Sequence, residues 1–312
     1  MKVGVIVNPV AGGGRLQRRR KLIDASLDRH FGRVELVETK AAGEACVLAR
    51  DMALSGADLV IAAGGDGTAS EAADGLLQAS REAGRLAEFG LIPCGNGADF
   101  ARGLGLPEDF EAAIGRIAAA APRRIDAGLA SYIDGRGALA SRYFLNVASL
   151  GLSGATDRAV NADRRKGRGS ARALFLWHTV VEFLRYRFQE VLISVDDGDA
   201  LEARVALVAA ANGRFFGGGM MIAPDAEPDD GAFDIVIVRA AGKMKLILDI
   251  RLLYGGRHRG HQSVSILRGR KVTIEPAGGR LANAALLDLD GDSPGRIPAT
   301  FEMLPGALSM RW

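Results

Sequence analysis

Three glycine-rich loops, each placed directly after a short β-rich run, do most to limit what this chain can fold into. Asn8-Pro9-Val10-Ala11-Gly12-Gly13-Gly14-Arg15 follows the run Val3 to Val7. Gly64-Gly65-Asp66-Gly67-Thr68 follows Leu59 to Ala62, and Pro93-Cys94-Gly95-Asn96-Gly97-Ala98-Asp99-Phe100-Ala101-Arg102 follows Phe89 to Ile92. A further β-rich run spans Val34 to Val37. Apolar residues at helical spacing fill the intervals Leu16 to Leu27, Glu44 to Leu54 and Ala69 to Leu77. Strand, loop and helix in repeated alternation is the sequence form of βαβ units on a parallel sheet, with ligands held at the carboxyl ends of the strands. An open three-layer α/β domain is therefore expected over residues 1–125.

From Asp126 onward the pattern changes to short β-rich runs bounded by Gly, Asp and Pro. These are Tyr143 to Val147, Val191 to Val195, Val205 to Ala209, Phe233 to Val238, Val264 to Leu267, Lys271 to Ile274 and Leu286 to Leu289. Such spacing predicts an all-β sandwich over residues 126–298, interrupted by helical stretches from Arg172 to about Arg187 and from Lys243 to about Tyr254. The 312 residues, 48% hydrophobic and 25% charged, are enough for two domains with buried cores. A net charge of +3 suits anionic membranes or nucleotides and is too small to argue for nucleic acid. Cys46 and Cys94 form no CxxC pair, which fits a reducing cytoplasm. No secretory-type leader or apolar run near twenty residues is present, so any contact with a membrane is expected to be peripheral, at its inner face.

The loops differ in chemical content. Asn8 to Arg15 offers backbone N–H groups before a helix and so favours an anion, but it lacks the Gly-Lys-Ser/Thr ending of a Walker loop; a plain strand-to-helix turn accounts for it equally well. Gly64 to Thr68 crowds a carboxylate and a hydroxyl among three glycines. A carboxylate on a phosphate loop makes sense when a cation mediates or a proton is transferred. The competing account makes Asp66 a turn former and Thr68 a helix N-cap. The third loop again carries one acid, Asp99.

These residues resemble the diacylglycerol kinase catalytic-domain family, which includes bacterial lipid kinases, sphingosine kinases and ceramide kinases. The likeness runs through NPVAGGGR at 8 to 15, GGDGT with Glu71 and Gly75 behind it, CGNGADFAR at 94 to 102, and Asp126. It continues through Asn212-Gly213, Gly217-Gly218-Gly219, APDAEPDDGAFDI at 223 to 235, and LDGD at 289 to 292. The resemblance implies a first domain like those of NAD kinases and phosphofructokinases, a β-sandwich second domain, the nucleotide in the cleft between them, and residues 299–312 returning to the first. It further implies ATP on Asn8, Pro9, Val10, Ala11, Gly12, Thr39, Gly64, Gly65, Asp66, Gly67, Thr68, Ala69, Ser70 and Asn96. Magnesium is implied near Asp66, Asp99 and Asp126, and a second, structural magnesium at Asp230 with the carbonyls of Glu227 and Ala232. A solvated acidic turn is the plainer account of Glu227 to Gly231.

The chain departs from the family at three places. Asn96 stands for a usual Thr, Ala98 for a usual Asn, and Asp292 for the Glu that acts as general base. Asp292 is one methylene short, about 1.5 Å, and a misplacement near 1 Å can cost on the order of a hundredfold in rate. A displaced loop could compensate. The expected activity is transfer of the ATP γ-phosphate to a lipid hydroxyl with Asp292 as base, Asp66 being the alternative. Rival readings are an NAD kinase-like small-molecule kinase and a nucleotide-binding regulator without catalysis. Arg164 to Arg168 followed by Ala173 to Trp177 suits an anionic interface, although an ordinary packed helix with a solvated basic lead-in explains it more simply. His258 and His261, three apart, lack a third metal ligand and are expected to be exposed polar residues. The acceptor lipid is open between diacylglycerol, phosphatidylglycerol, sphingoid base and ceramide, and so is the choice between monomer and homodimer.

Overall fold

The computed structural model describes residues 1–84, 86–95, 97–151, 188–240, 252–279 and 285–312. Asn96, the basic and aromatic segment from Arg164 to Trp177, and the expected helix from Arg172 lie outside these residues. Of the expected helix ending near Tyr254, residues 252–254 are described and are helical. The chain forms two compact units: Met1–Ala127 with Tyr143–Leu145 and Pro305–Trp312, and Gly128–Arg142 with Asn146–Leu304.

The first unit alternates strands and helices: β1 (Val3–Val7), α1 (Ala11–Arg18), α2 (Arg20–Phe31), β2 (Glu35–Glu38), α3 (Glu44–Leu54), β3 (Leu59–Gly64), α4 (Asp66–Ala83), β4 (Glu88–Pro93), α5 (Asp99–Gly103) and α6 (Phe110–Ala119). Strands β2, β1, β3 and β4 lie side by side in that order, all parallel. Every residue of β1 and β3 is buried, as expected of parallel strands covered on both faces. Val5, Val7, Leu59 and Ile61 meet Leu16, Ile23 and Leu27 from α1 and α2, and Ile114 and Ile117 from α6, in one apolar cluster. Truncating a fully buried residue such as Ile61 to alanine costs about 2–5 kcal/mol in settings of this kind.

Two motif residues behind the second loop turn out to fit α3 to α4. The Glu71 carboxylate accepts hydrogen bonds from the amides of Gly43 (2.8 Å) and Ala45 (3.3 Å) at the start of α3. A β-carbon on Gly75 would overlap the Cys46 carbonyl of α3, so the two helices touch only because glycine stands there.

The second unit is antiparallel. Its strands are the later part of β5 (Arg123–Asp134), β6 (Leu139–Phe144), β7 (Val147–Gly151), β8 (Gln189–Val195), β9 (Leu201–Ala211), the short pair β10 (Phe215–Phe216) and β11 (Met220–Met221), β12 (Phe233–Arg239), β13 (Val264–Gly269), β14 (Lys271–Pro276), β15 (Leu287–Leu289) and the first part of β16 (Gly295–Arg311). Strand β9 organises it. Its first half pairs with β8, its second half with β7, and its other edge with β12. Beside it Val147, Ala209, Ala211, Ile222 and Val236 form a buried cluster. The α/β-then-all-β order predicted from the sequence is the one observed.

Several bounds differ from the sequence reading, the expected helix Leu16 to Leu27 among them, which is divided at Arg19 between α1 and α2; two bear on the site. The run Tyr143 to Val147 is not one strand: it breaks between β6 and β7, because the amides of Asn146 and Val147 turn aside to bond the Asp290 carboxylate at 3.0 and 2.9 Å. Helix α4 begins at Asp66, three residues before the expected Ala69, with Gly65 as its N-cap. Thr68 is consequently inside the helix and is not its cap.

Candidate active site

The three glycine-rich loops meet one another at the carboxyl ends of β1, β3 and β4. Asn8 joins the first to the second: its Nδ2 donates to Thr68 Oγ1 at 3.0 Å, while its Oδ1 accepts from the Val10 amide at 3.2 Å. The first loop reaches the third at Gly12, where a β-carbon would stand 2.9 Å from Cys94 Sγ. Second and third touch at Gly65 and Gly95, where a β-carbon on Gly95 would lie 3.0 Å from the Gly65 Cα. The Phe100 amide also donates to Asp66 Oδ1 at 3.1 Å. Side chains would hold these loops apart, so the glycines are what lets them converge.

Local conformation carries the same message. Gly12, Gly13 and Gly14 are consecutively left-handed, with φ of 57°, 67° and 80°. Such a run is closed to residues with a β-carbon except at a cost near 1–2 kcal/mol each. Right-handed helix therefore starts only at Arg15. At the head of α4, Gly65 supplies no side-chain cap, and Gly67 is exposed with open space around it. Amides at a bare helix N-terminus, reinforced by the helix dipole, attract an anion such as a phosphate. Cys94 lies under this cradle, and burial pushes its thiol above the usual range, so it stays protonated there.

The other expected nucleotide residues have varied placements. Pro9 is half-buried, and Val10 and Ala11 lead into the left-handed turn, Val10 being 77% exposed. The Thr39 amide, just past β2, donates to the Val7 carbonyl at 2.9 Å. Ala69 and Ser70 are buried within α4, so they can support the loop but present no side chain to a ligand.

Among the acids, Asp66 is half-buried at the first position of α4. Asp99 is buried and pairs with Arg102 at 2.6 Å. Asp126, also buried, accepts from the Gly306 amide at 2.7 Å. Among the described residues no three acidic, histidine or cysteine side chains stand close enough to form a direct metal cage. In the second unit Asp230 accepts from the Ala232 amide at 3.1 Å and is ion-paired to Arg268, while Glu227 is exposed.

The late acidic segment is a tight turn built by its own carboxylates. Asp288 Oδ1 accepts from the Gly291 amide at 2.8 Å, and its Oδ2 from Ser149 Oγ at 3.3 Å. Asp290, left-handed at φ 52°, takes the two amides already described. Leu289 and Asp292 exchange two backbone hydrogen bonds, of 2.8 and 3.0 Å. Asp292 turns its side chain to a cation, Arg142 on β6, with Nη1 3.0 Å from Oδ2. Sequence reasoning missed Arg142, since nothing local ties a strand arginine to a turn so far along the chain.

Comparison with known proteins settles the lineage. Residues 2–130 match the diacylglycerol kinase catalytic domain, and residues 146–311 match the YegS C-terminal NAD kinase beta sandwich-like domain. The chain belongs to the diacylglycerol kinase family of lipid kinases. It is 26% identical to the diacylglycerol kinase of Bacillus subtilis over 298 residues, covering 95% of this chain and 91% of that one. It is also 32% identical to a YegS-like lipid kinase of Chromohalobacter salexigens over 210 residues, covering 66% and 63%. Crystal structures of a diacylglycerol kinase from Bacillus anthracis superpose over 100% of this chain and 96 to 97% of theirs, with TM-scores of 0.72 to 0.77 at 25 to 27% identity. Among the described residues of this family member, no helix is long and apolar enough to cross a membrane.

Proposed function

We propose that the chain transfers the γ-phosphate of ATP to the hydroxyl group of a membrane lipid, with diacylglycerol as the first acceptor to try. The observation that supports this best is the convergence of three glycine-rich loops on the bare N-terminus of α4. That arrangement fits a polyphosphate, whose oxygens can take the first-turn amides while the absent β-carbons leave room for close approach. Magnesium fits in its usual manner, keeping most of its water and meeting one or two carboxylates plus phosphate oxygens, with Asp66, Asp99 and Asp126 as the candidate ligands, directly or through water. When bound it neutralises phosphate charge. A structural magnesium at Asp230, with the Glu227 and Ala232 carbonyls, would have to compete with Arg268 for that carboxylate; a melting temperature unmoved by EDTA would remove it.

The protein's own residues then do the following. Loop amides orient the phosphates, and Asp292 accepts the proton of the lipid hydroxyl as its oxygen bonds to the γ-phosphorus and the β–γ bridging bond breaks, leaving ADP. Asp66 is the alternative acceptor of that proton.

The test presents radiolabelled ATP and magnesium with phosphatidylcholine vesicles carrying diacylglycerol, phosphatidylglycerol, ceramide or sphingosine, and separately with soluble NAD. Label is expected in a lipid product. Label on NAD, or no product from any lipid, sinks the proposal. Asp292→Asn is expected to lower kcat by on the order of 10²–10⁴-fold, and Asp66→Asn distinguishes the two candidate bases.

A further inference from the structure

We propose that Arg142 is a positioning residue for phosphoryl transfer, aiming the Asp292 carboxylate so that its shorter side chain can serve where the family carries glutamate. The inference rests on Asp292 being the base.

A shortened base can be rescued by moving its backbone or by directing its side chain. The turn itself is firmly held. Asp288 holds it from inside, Asp290 clamps it to the Asn146 and Val147 amides, and Leu289 and Asp292 are tied to each other by both backbone hydrogen bonds. What can still be directed from such a fixed backbone is the side chain. Arg142 reaches from β6 with its own side chain 17% exposed, against 46% for Asp292, so the cation is the more firmly seated partner. Its Nη1 donates to Oδ2 of Asp292, and Oδ1 takes no hydrogen bond among the described residues. One oxygen is held and the other is left to take a proton. With Asp292 half-exposed, the ion pair itself is weak as a stabilising device, so a merely structural role of the pair predicts little effect on breaking it. A positioning role predicts a large effect on turnover, because reacting groups tolerate little misplacement.

The experiment uses the full chain and whichever lipid acceptor gives turnover in vesicles, comparing wild type, Arg142→Met, Asp292→Asn and the double variant for kcat, lipid KM and melting temperature. Arg142→Met is expected to lower kcat by about 10- to 100-fold, with lipid KM and melting temperature nearly unchanged. Arg142→Lys should recover part of the loss, since it restores charge without the planar fork. In the Asp292→Asn background, Arg142→Met should have no further effect, as residues acting through one another are not additive. Full turnover in Arg142→Met, a change in KM alone, or the same fold-loss in both backgrounds would overturn the inference while leaving the base assignment standing. Full turnover in Asp292→Asn overturns the base assignment and the inference with it. Should Arg142→Met fail to fold, Arg142→Lys against Arg142→Gln carries the same comparison.

Discussion

The glycine-loop cradle of the first unit and the acidic turn of the second solve the same problem, fixing a loop at a strand end, by opposite means. The cradle depends on what is missing: Gly12 and Gly95 stand closer to their neighbouring loops than a β-carbon would allow without a shift. The turn is fixed by what is added, since Asp288 and Asp290 direct their carboxylates to backbone amides. A loop made by omission has one acceptable residue per position. A loop made by carboxylates accepts any side chain that presents an oxygen in the same place, so the two should respond differently to substitution.

The largest effect is expected where omission meets backbone. Gly75→Val drives a side chain into the Cys46 carbonyl, which has no flexible end to yield. A loss above about 3 kcal/mol is expected, visible as a collapsed melting temperature or insoluble protein; a soluble variant with native melting would break the contrast. Next comes Asp290→Ala, which leaves two amides unpaired and places alanine in the left-handed region, for about 2–3 kcal/mol. Asp290→Asn, keeping an oxygen and tolerating that conformation, should lose roughly half as much in urea unfolding. A smaller effect of opposite sign is expected at Ala98, left-handed at φ 47° without being glycine. Ala98→Asn, the residue usual in the family, should stabilise by about 0.5–1 kcal/mol.

The smallest effect is a slope. His258 is buried, not exposed as the sequence led one to expect, because its ring turns inward to the Ile222 carbonyl at 2.8 Å; desolvation first of all lowers its proton affinity, outweighing that carbonyl. A base whose folded pKa lies below its unfolded value binds more protons when unfolded, so stability falls as pH drops from about 6.5 toward the folded value. His258→Gln should flatten that acid limb of a melting-temperature profile; an unchanged limb would assign it to other groups.

Much of the first unit was legible because its signals are local. The bounds of β1 and α3 coincide with the runs read from the sequence, being set by uninterrupted apolar residues and by helical spacing. The start of α4 was misplaced because Asp66 and Gly67 are poor helix formers whose position there is set by the Gly65–Gly95 contact, which no window of sequence contains. The break at Asn146 and the Arg142–Asp292 pair were illegible for the same reason: each is decided by a turn that arrives from more than a hundred residues away. What the sequence could offer was the convergence-prone, glycine-rich character of the loops. Which acids bond to backbone amides and which meet a cation is a matter of tertiary pairing.

Residues 305–312 belong to the first unit, with Met310 and Arg311 laid parallel to β4, Arg311 ion-paired to Glu88 and donating to the Ala120 carbonyl, and Arg123 stacked on Trp312. Because some two hundred residues separate β4 from the segment that covers its flank, β4 is made long before that flank can be closed. Until it is closed, or wherever Met310 and Arg311 are detached, the strand keeps an open edge prone to pairing with other chains.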